Sequence, residues 1–275
     1  QARSVRMKAQ NLGIVARATA WSFEPKFEFE KENGMKASRL VTYAVCGLVL
    51  ACCGRAALAQ DPTKVGPNIY KSILENEHVR VCEIHFKPGD KVGMHSHPDH
   101  LVYILEAGKL KLGYPDGSTK DLEGKAGDVI WIKAESHQAE NVGKADVRAI
   151  VVELRDPAPK AGESTAGVAA KDDAVKVAPE AVKTLFENER VRVIESSLKP
   201  GGKLPMHGHP ANVVYGITGA KIKTTLPDGK STERDLAAGT AFWSDAIQHA
   251  IENAGPADIR ALNFEFKQPA VAKKP

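Results

Sequence analysis

Cysteine is scarce in this chain of 275 residues, and three of its four cysteines (Cys46, Cys52, Cys53) crowd into one apolar stretch near the N-terminus. Cys82 stands alone in the remainder. No internal disulfide can staple that remainder, so its stability must come from a packed core. Aromatic residues are few, at 6%. The longest apolar run, Leu40 to Cys53, has about 14 residues, short of the ~20 that a bilayer span needs. An excess of one charge is also missing. The formal net charge is +4, but nine of the 38 Lys/Arg and four of the 34 Asp/Glu lie in residues 1–59, which leaves 29 basic against 30 acidic residues. The balanced remainder carries no basic stripe, which argues against a nucleic-acid partner. No long amphipathic helix is visible.

The front of the chain reads as a leader. Met35 has the character of the natural start, with residues 1–34 as upstream sequence foreign to the protein. Lys36 and Arg39, the apolar run and Ala57-Leu58-Ala59 make residues 35–59 a secretory signal peptide, cleaved before Gln60. The rival reading is a lipid anchor at Cys52, because Val49-Leu50-Ala51-Cys52 resembles a lipobox. The expectation is a periplasmic or secreted protein with no membrane attachment after cleavage.

What is present is a repeat. His95, His97 and His137 recur as His207, His209 and His249, each 112 residues later. Tyr103/Tyr215, Trp131/Trp243, Asn141/Asn253 and the Pro-Asp-Gly at 115–117 and 227–229 follow the same offset. Aligned without gaps, about 36 of about 85 positions are identical, so one ancestral unit has been duplicated. The organisation predicted is a first domain at 60–154, an Ala/Pro/Lys-rich linker at 155–179 with one short helix near Asp173–Val177, a second domain at 180–267 and a tail at 268–275.

Each unit reads as short strands. Residues 79–84 and 191–195 alternate, 101–105 and 129–132 are apolar and β-rich, 109–112 alternates, and 147–154 closes the unit. Turns recur every ~8–12 residues, the signature of an all-β sandwich or barrel. On a strand, residues two apart point the same way. His-x-His therefore sends two imidazoles into the barrel, and a third histidine on another strand completes a metal-binding set. Neutral imidazole suits iron, nickel, copper and zinc. The cofactor expected is a divalent transition metal, iron first, with manganese, nickel, zinc or copper as alternatives.

Gly89-x5-His95-x-His97-Pro98 through Tyr103, and Gly127 through His137-x3-Asn141, resemble the two motifs of the cupin family. Gly201-x5-His207-x-His209-Pro210 through Tyr215, and Gly239 through His249-x3-Asn253, repeat them. The resemblance covers both units. It implies two tandem double-stranded β-helix (jelly-roll) barrels, a bicupin, with a metal in each mouth. It also shows a departure. The family's usual glutamate ligand, three residues before the tyrosine, is His100 in one unit and Asn212 in the other. His100 would give the first unit a fourth imidazole. An all-histidine set holds oxygen anions more tightly, because no ligand charge offsets the ion. It also leaves no nearby carboxylate to act as a base. That weakens the likeness to manganese oxalate-degrading bicupins and to quercetin-cleaving dioxygenases, and leaves open the cupin-like dioxygenases with three-histidine iron.

The function expected is an iron-dependent dioxygenase-like enzyme acting on a small organic anion or enolisable compound. The alternatives are a metal-dependent lyase or isomerase, and a non-catalytic cupin that binds metal or a small molecule. Tyr103, Trp131, Asn212, Tyr215 and Trp243 are the pocket candidates, although core packing is the default for the tyrosines and tryptophans. Arg80/Arg192 and Arg148/Arg260 are read as solvent-facing by default. Pairing is expected either between two copies or between the two barrels of one chain.

Overall fold

A computed structural model describes residues 60–155 and 172–267. The leader, the tail and most of the predicted linker fall outside the described residues. The first half holds a four-residue helix, α1 (Pro62–Val65), then β1 (Tyr70–Glu75), β2 (Val79–Phe86), β3 (Lys91–His97), β4 (His100–Glu106), β5 (Lys109–Gly113), β6 (Thr119–Glu123), β7 (Val129–Ile132), β8 (Glu135–Asn141) and β9 (Val147–Leu154). The second half repeats it as α2 (Ala174–Val177), β10 (Val182–Glu187), β11 (Val191–Leu198), β12 (Lys203–His209), β13 (Asn212–Gly216), β14 (Ala220–Thr225), β15 (Ser231–Leu236), β16 (Ala241–Ser244), β17 (Ile247–Asn253) and β18 (Ile259–Phe266).

Each half is two antiparallel sheets, ordered β1-β2-β9-β4-β7 over β3-β8-β5-β6 in the first and β10-β11-β18-β13-β16 over β12-β17-β14-β15 in the second. This is the all-β, two-barrel architecture expected. The Pro-Asp-Gly turns work because Gly117 and Gly229 both sit at φ +83°, where a side chain would be strained. Asn141 and Asn253 are buried clamps. Asn141 donates to the carbonyls of Phe86 (3.0 Å) and Ala145 (2.9 Å) and accepts from the Gly143 amide. Asn253 makes the same three bonds.

The linker prediction needs a correction at its end. Asp173 caps α2, pairs with Arg192 at 2.7 Å and bridges to Gly208. It is the counterpart of Asp61, which caps α1 and pairs with Arg80. Residues 173–179 therefore belong to the second barrel.

Strand parity explains the long apolar runs. On β2, β4 and β9, Cys82, Ile84, Phe86, Val102, Ala149 and Val151 fill the first barrel. Their neighbours Val79, Val81, Leu101, Tyr103, Ile150 and Val152 face outward and share one apolar cluster with Val191, Val193, Val213, Tyr215, Leu262 and Phe264 of the second barrel. Both faces of these strands are buried, so the sequence cannot alternate there. His78 stacks on Trp243 (5.0 Å between ring centres), and Arg190 reaches Asp99 at 2.9 Å, both from one barrel to the other.

Candidate metal centres

The register between β3 and β8 slips by one residue between Val92 and His95. This bulge lets Val92 and His95, three apart in sequence, both face inward. His95 then lies directly opposite His137, and His97 follows two residues on. The slip recurs between Leu204 and His207, with His207 opposite His249. In each barrel the three histidines offer ring nitrogens that all lie within 4.8 Å of one another. Ring centres of His95 and His137 are 4.7 Å apart, as are those of His207 and His249.

The outer nitrogens are committed. His95 Nδ1 donates to the Gly93 carbonyl (2.8 Å), His97 Nδ1 to Glu153 (2.6 Å) and His137 Nδ1 to Glu135 (2.8 Å). In the second barrel His207 Nδ1 donates to the Pro205 carbonyl (2.7 Å) and His209 Nδ1 to Glu265 (2.8 Å). Fixing the proton on Nδ1 presents the Nε2 lone pair inward, which is how ligand histidines are oriented. Burial, reinforced by neighbouring imidazoles, pushes His95 down to about 4 and His137 to about 3. It does the same to His207 (about 4) and His249 (about 3). These rings are neutral near pH 7, as a metal ligand must be. Convergent imidazoles, five of the six buried, fit a divalent metal ion in both barrels.

His100 is buried beside the first trio, its ring centre 4.7 Å from that of His97, with Nδ1 donating to the Pro98 carbonyl. It stands outside the convergent set of His95, His97 and His137. Its counterpart Asn212 binds the Pro210 carbonyl and accepts from Asn263. Asn212 and Trp243 line a cavity over the second trio. Tyr103, Tyr215 and Trp131 are corrections to the pocket reading. Their positions point out of the barrels, and they pack in or against the core between them. The Tyr103 hydroxyl lies in the field of Glu195 and Arg260 of the opposite barrel, and that of Tyr215 in the field of Glu83 and Arg148. Arg148 and Arg260 pair with Glu83 and Glu195 there.

Arg80 is also corrected from solvent-facing to buried, because its strand parity matches Cys82. Its Nε donates to Glu153 Oε2 at 2.6 Å, and Arg192 does the same to Glu265 at 2.6 Å. An Asp–Arg–Glu–His chain thus supports one ring of each trio: Asp61, Arg80, Glu153, His97 and Asp173, Arg192, Glu265, His209. Burial would raise the Glu153 carboxyl, but the bonds from His97 and Arg80 outweigh it and hold it low. So carboxylates do approach the centres, but on the outer nitrogen, where they orient the ring. Sequence reasoning missed Glu153 and Glu265. A single acid in the apolar run 149–154, repeated at the same offset with its arginine, was the available signal. It also missed Tyr70, whose buried hydroxyl donates to His95 Nε2 at 3.2 Å and whose counterpart is Val182.

Comparison with known proteins agrees with this geometry. The cupin domain model matches residues 82–153. Two solved structures of oxalate decarboxylase from Bacillus subtilis align across both halves. One, a tryptophan-to-tyrosine variant, has 13% identity and a TM-score of 0.51 and covers 72% of each chain. The other, described for its Mn(II) centres, has 14% identity and a TM-score of 0.50, covering 74% of this chain and 78% of that one. Residues 82–153 thus match a cupin domain, and the two halves together share the tandem two-barrel fold of these structures. No curated protein matches it. At such identity the likeness speaks for the fold. The two trios could each hold a divalent metal.

Proposed function

We propose that this bicupin is an exported metal-dependent enzyme that acts, as a dioxygenase-like catalyst, on a small organic anion or enolisable compound, with iron as the favoured ion. The observation that carries the reading is the convergence of three imidazoles in each barrel, all buried but the half-buried His249, with no carboxylate in either trio. Bound there, iron would supply Lewis-acid binding of substrate oxygens and access to dioxygen. The chain's own residues do the rest. Glu153 and Glu265, gripped by Arg80 and Arg192, fix the angle of His97 and His209. In the first barrel the wall of Val102, Leu110, Leu112 and Leu122 excludes water, and the Tyr70 hydroxyl stands as a proton donor against the trio. Support for export comes from the signal-like segment 35–59 and from a remainder whose single cysteine is buried.

Elemental analysis and oxygen uptake test this reading. The chain starting at Gln60, loaded anaerobically with Fe(II), is expected to hold two ions. It should consume oxygen with at least one of a panel of diketones, catechols and small carboxylates. His137→Ala and His249→Ala should each remove one ion and leave the other. Fewer than ~0.2 ions per chain would end the metal reading. Turnover without oxygen uptake would move the protein to the lyases or isomerases.

A further inference from the structure

The walls of the two cavities differ at matched positions. Over the first trio the lining includes Leu112, Leu122, Ile132 and Val151. At the same places over the second trio stand Thr224, Arg234, Ser244 and Asn263. Four inward apolar side chains have become polar, and one of them carries charge. The second trio borders two cavities, of about 70 Å³ and about 290 Å³, both lined by Arg234 and Asn263, against about 50 Å³ for the cavity over the first trio.

Arg234 faces inward because it is paired across the sheet with Ile222, a core residue. Its guanidinium lies 4.1 Å from the centre of the Phe242 ring, which supports its plane. It lines the cavity together with His209 and His249. Its strand neighbours Glu233 and Asp235 lie opposite Lys223 and Lys221, on the other face of the sheet. Among the described residues no carboxylate pairs with Arg234. A cation held flat at a cavity mouth, without an acid of its own, matches the two-pronged geometry of a carboxylate.

We propose that the second barrel is the anion-binding one: Arg234 anchors a small carboxylate over the His207–His209–His249 trio, and the first barrel, with Leu122 in that place, takes none. This deepens the function proposed above, whose anionic substrate it assigns to one barrel, and it rests on that reading for the metal alone.

The test is calorimetric titration of the metal-loaded chain with oxalate and pyruvate, and with oxamide as the uncharged control, alongside elemental analysis of every sample. The expected result is one carboxylate site per chain and no oxamide binding. Arg234→Leu should weaken carboxylate binding at least tenfold with the metal content unchanged. Arg234→Lys, which keeps the charge without the fork, should lose less and guards against a misfolded leucine variant. His137→Ala, in the first barrel, should leave the affinity as it was. Unchanged affinity in Arg234→Leu, two equal sites per chain, or no binding of either carboxylate would each overturn the proposal. Arg234-dependent binding to a chain that proves to hold no metal would instead uphold it and sink the metal-dependent reading.

Discussion

The two barrels share their scaffold residue for residue around the histidines and part company at the cavity wall. Both keep the bulge before His-x-His, the Asp–Arg–Glu–His support and the buried asparagine clamp. Only the first has Tyr70 and His100 beside its trio, and only the second has Arg234 above it. What both copies retain positions a metal. What differs would choose a ligand. An apolar pocket with one phenol and a polar pocket with one guanidinium are unsuited to the same molecule.

The largest effect should come from breaking the shared support. Glu153→Ala leaves the buried Arg80 charge with Asp61 as its remaining acid and frees His97 to turn. Removing one member of a buried ion pair costs about 3–5 kcal/mol. Urea unfolding should show that loss for Glu153→Ala and an equal one for Glu265→Ala. A loss under about 1 kcal/mol in one variant alone would show that only one barrel depends on this chain.

Acid separates the barrels next. In the metal-free protein His95, His100 and His137 are held at about 4, 4 and 3, against an ordinary 6.5. Folded-state values below the unfolded ones mean that stability is complete above pH 6.5. It drains as pH falls from 6.5 towards 4, because only the unfolded chain takes up the protons. Each such histidine adds a slope of about 1.4 kcal/mol per pH unit. The second barrel has two of them, His207 and His249, with Asn212 in place of His100. His100→Asn should therefore flatten the acid limb of stability against pH by about one proton, and Asn212→His should steepen it. Unfolding free energies of the metal-free chains between pH 4 and pH 7 decide the matter. An unchanged slope in His100→Asn would mean that His100 already ionises in the fold.

How far all this was legible in the sequence depended on whether a residue's role was local. The trios, the Pro-Asp-Gly turns and the barrel class follow from period two and the 112-residue offset. Tyr103, Tyr215 and Trp131 did not, because residues 101–105 and 147–154 are apolar on both faces, and only the packing of barrel on barrel reveals which parity faces the trio. Arg80 looked solvent-facing because its partner Glu153 is 73 residues away. The second barrel begins at Asp173, ahead of the predicted boundary, for a similar reason. That aspartate serves Arg192 on β11 as well as its own four-residue helix.

The smallest effect bears on the scaffold alone. Gly117 and Gly229 share a φ of +83°, and a Cβ built on either would meet no atom within 4 Å. Alanine there adds backbone strain without a clash, at about 1–2 kcal/mol. Since the hairpins are the same in both barrels, Gly117→Ala and Gly229→Ala should destabilise equally, each leaving metal content and carboxylate affinity untouched. Thermal unfolding of the two variants checks the first point, and the titrations above check the second. If Gly229→Ala alone weakened carboxylate binding, the β14–β15 hairpin would be shaping the cavity through Thr224 and Arg234, and the difference between the barrels would extend from side chains to backbone.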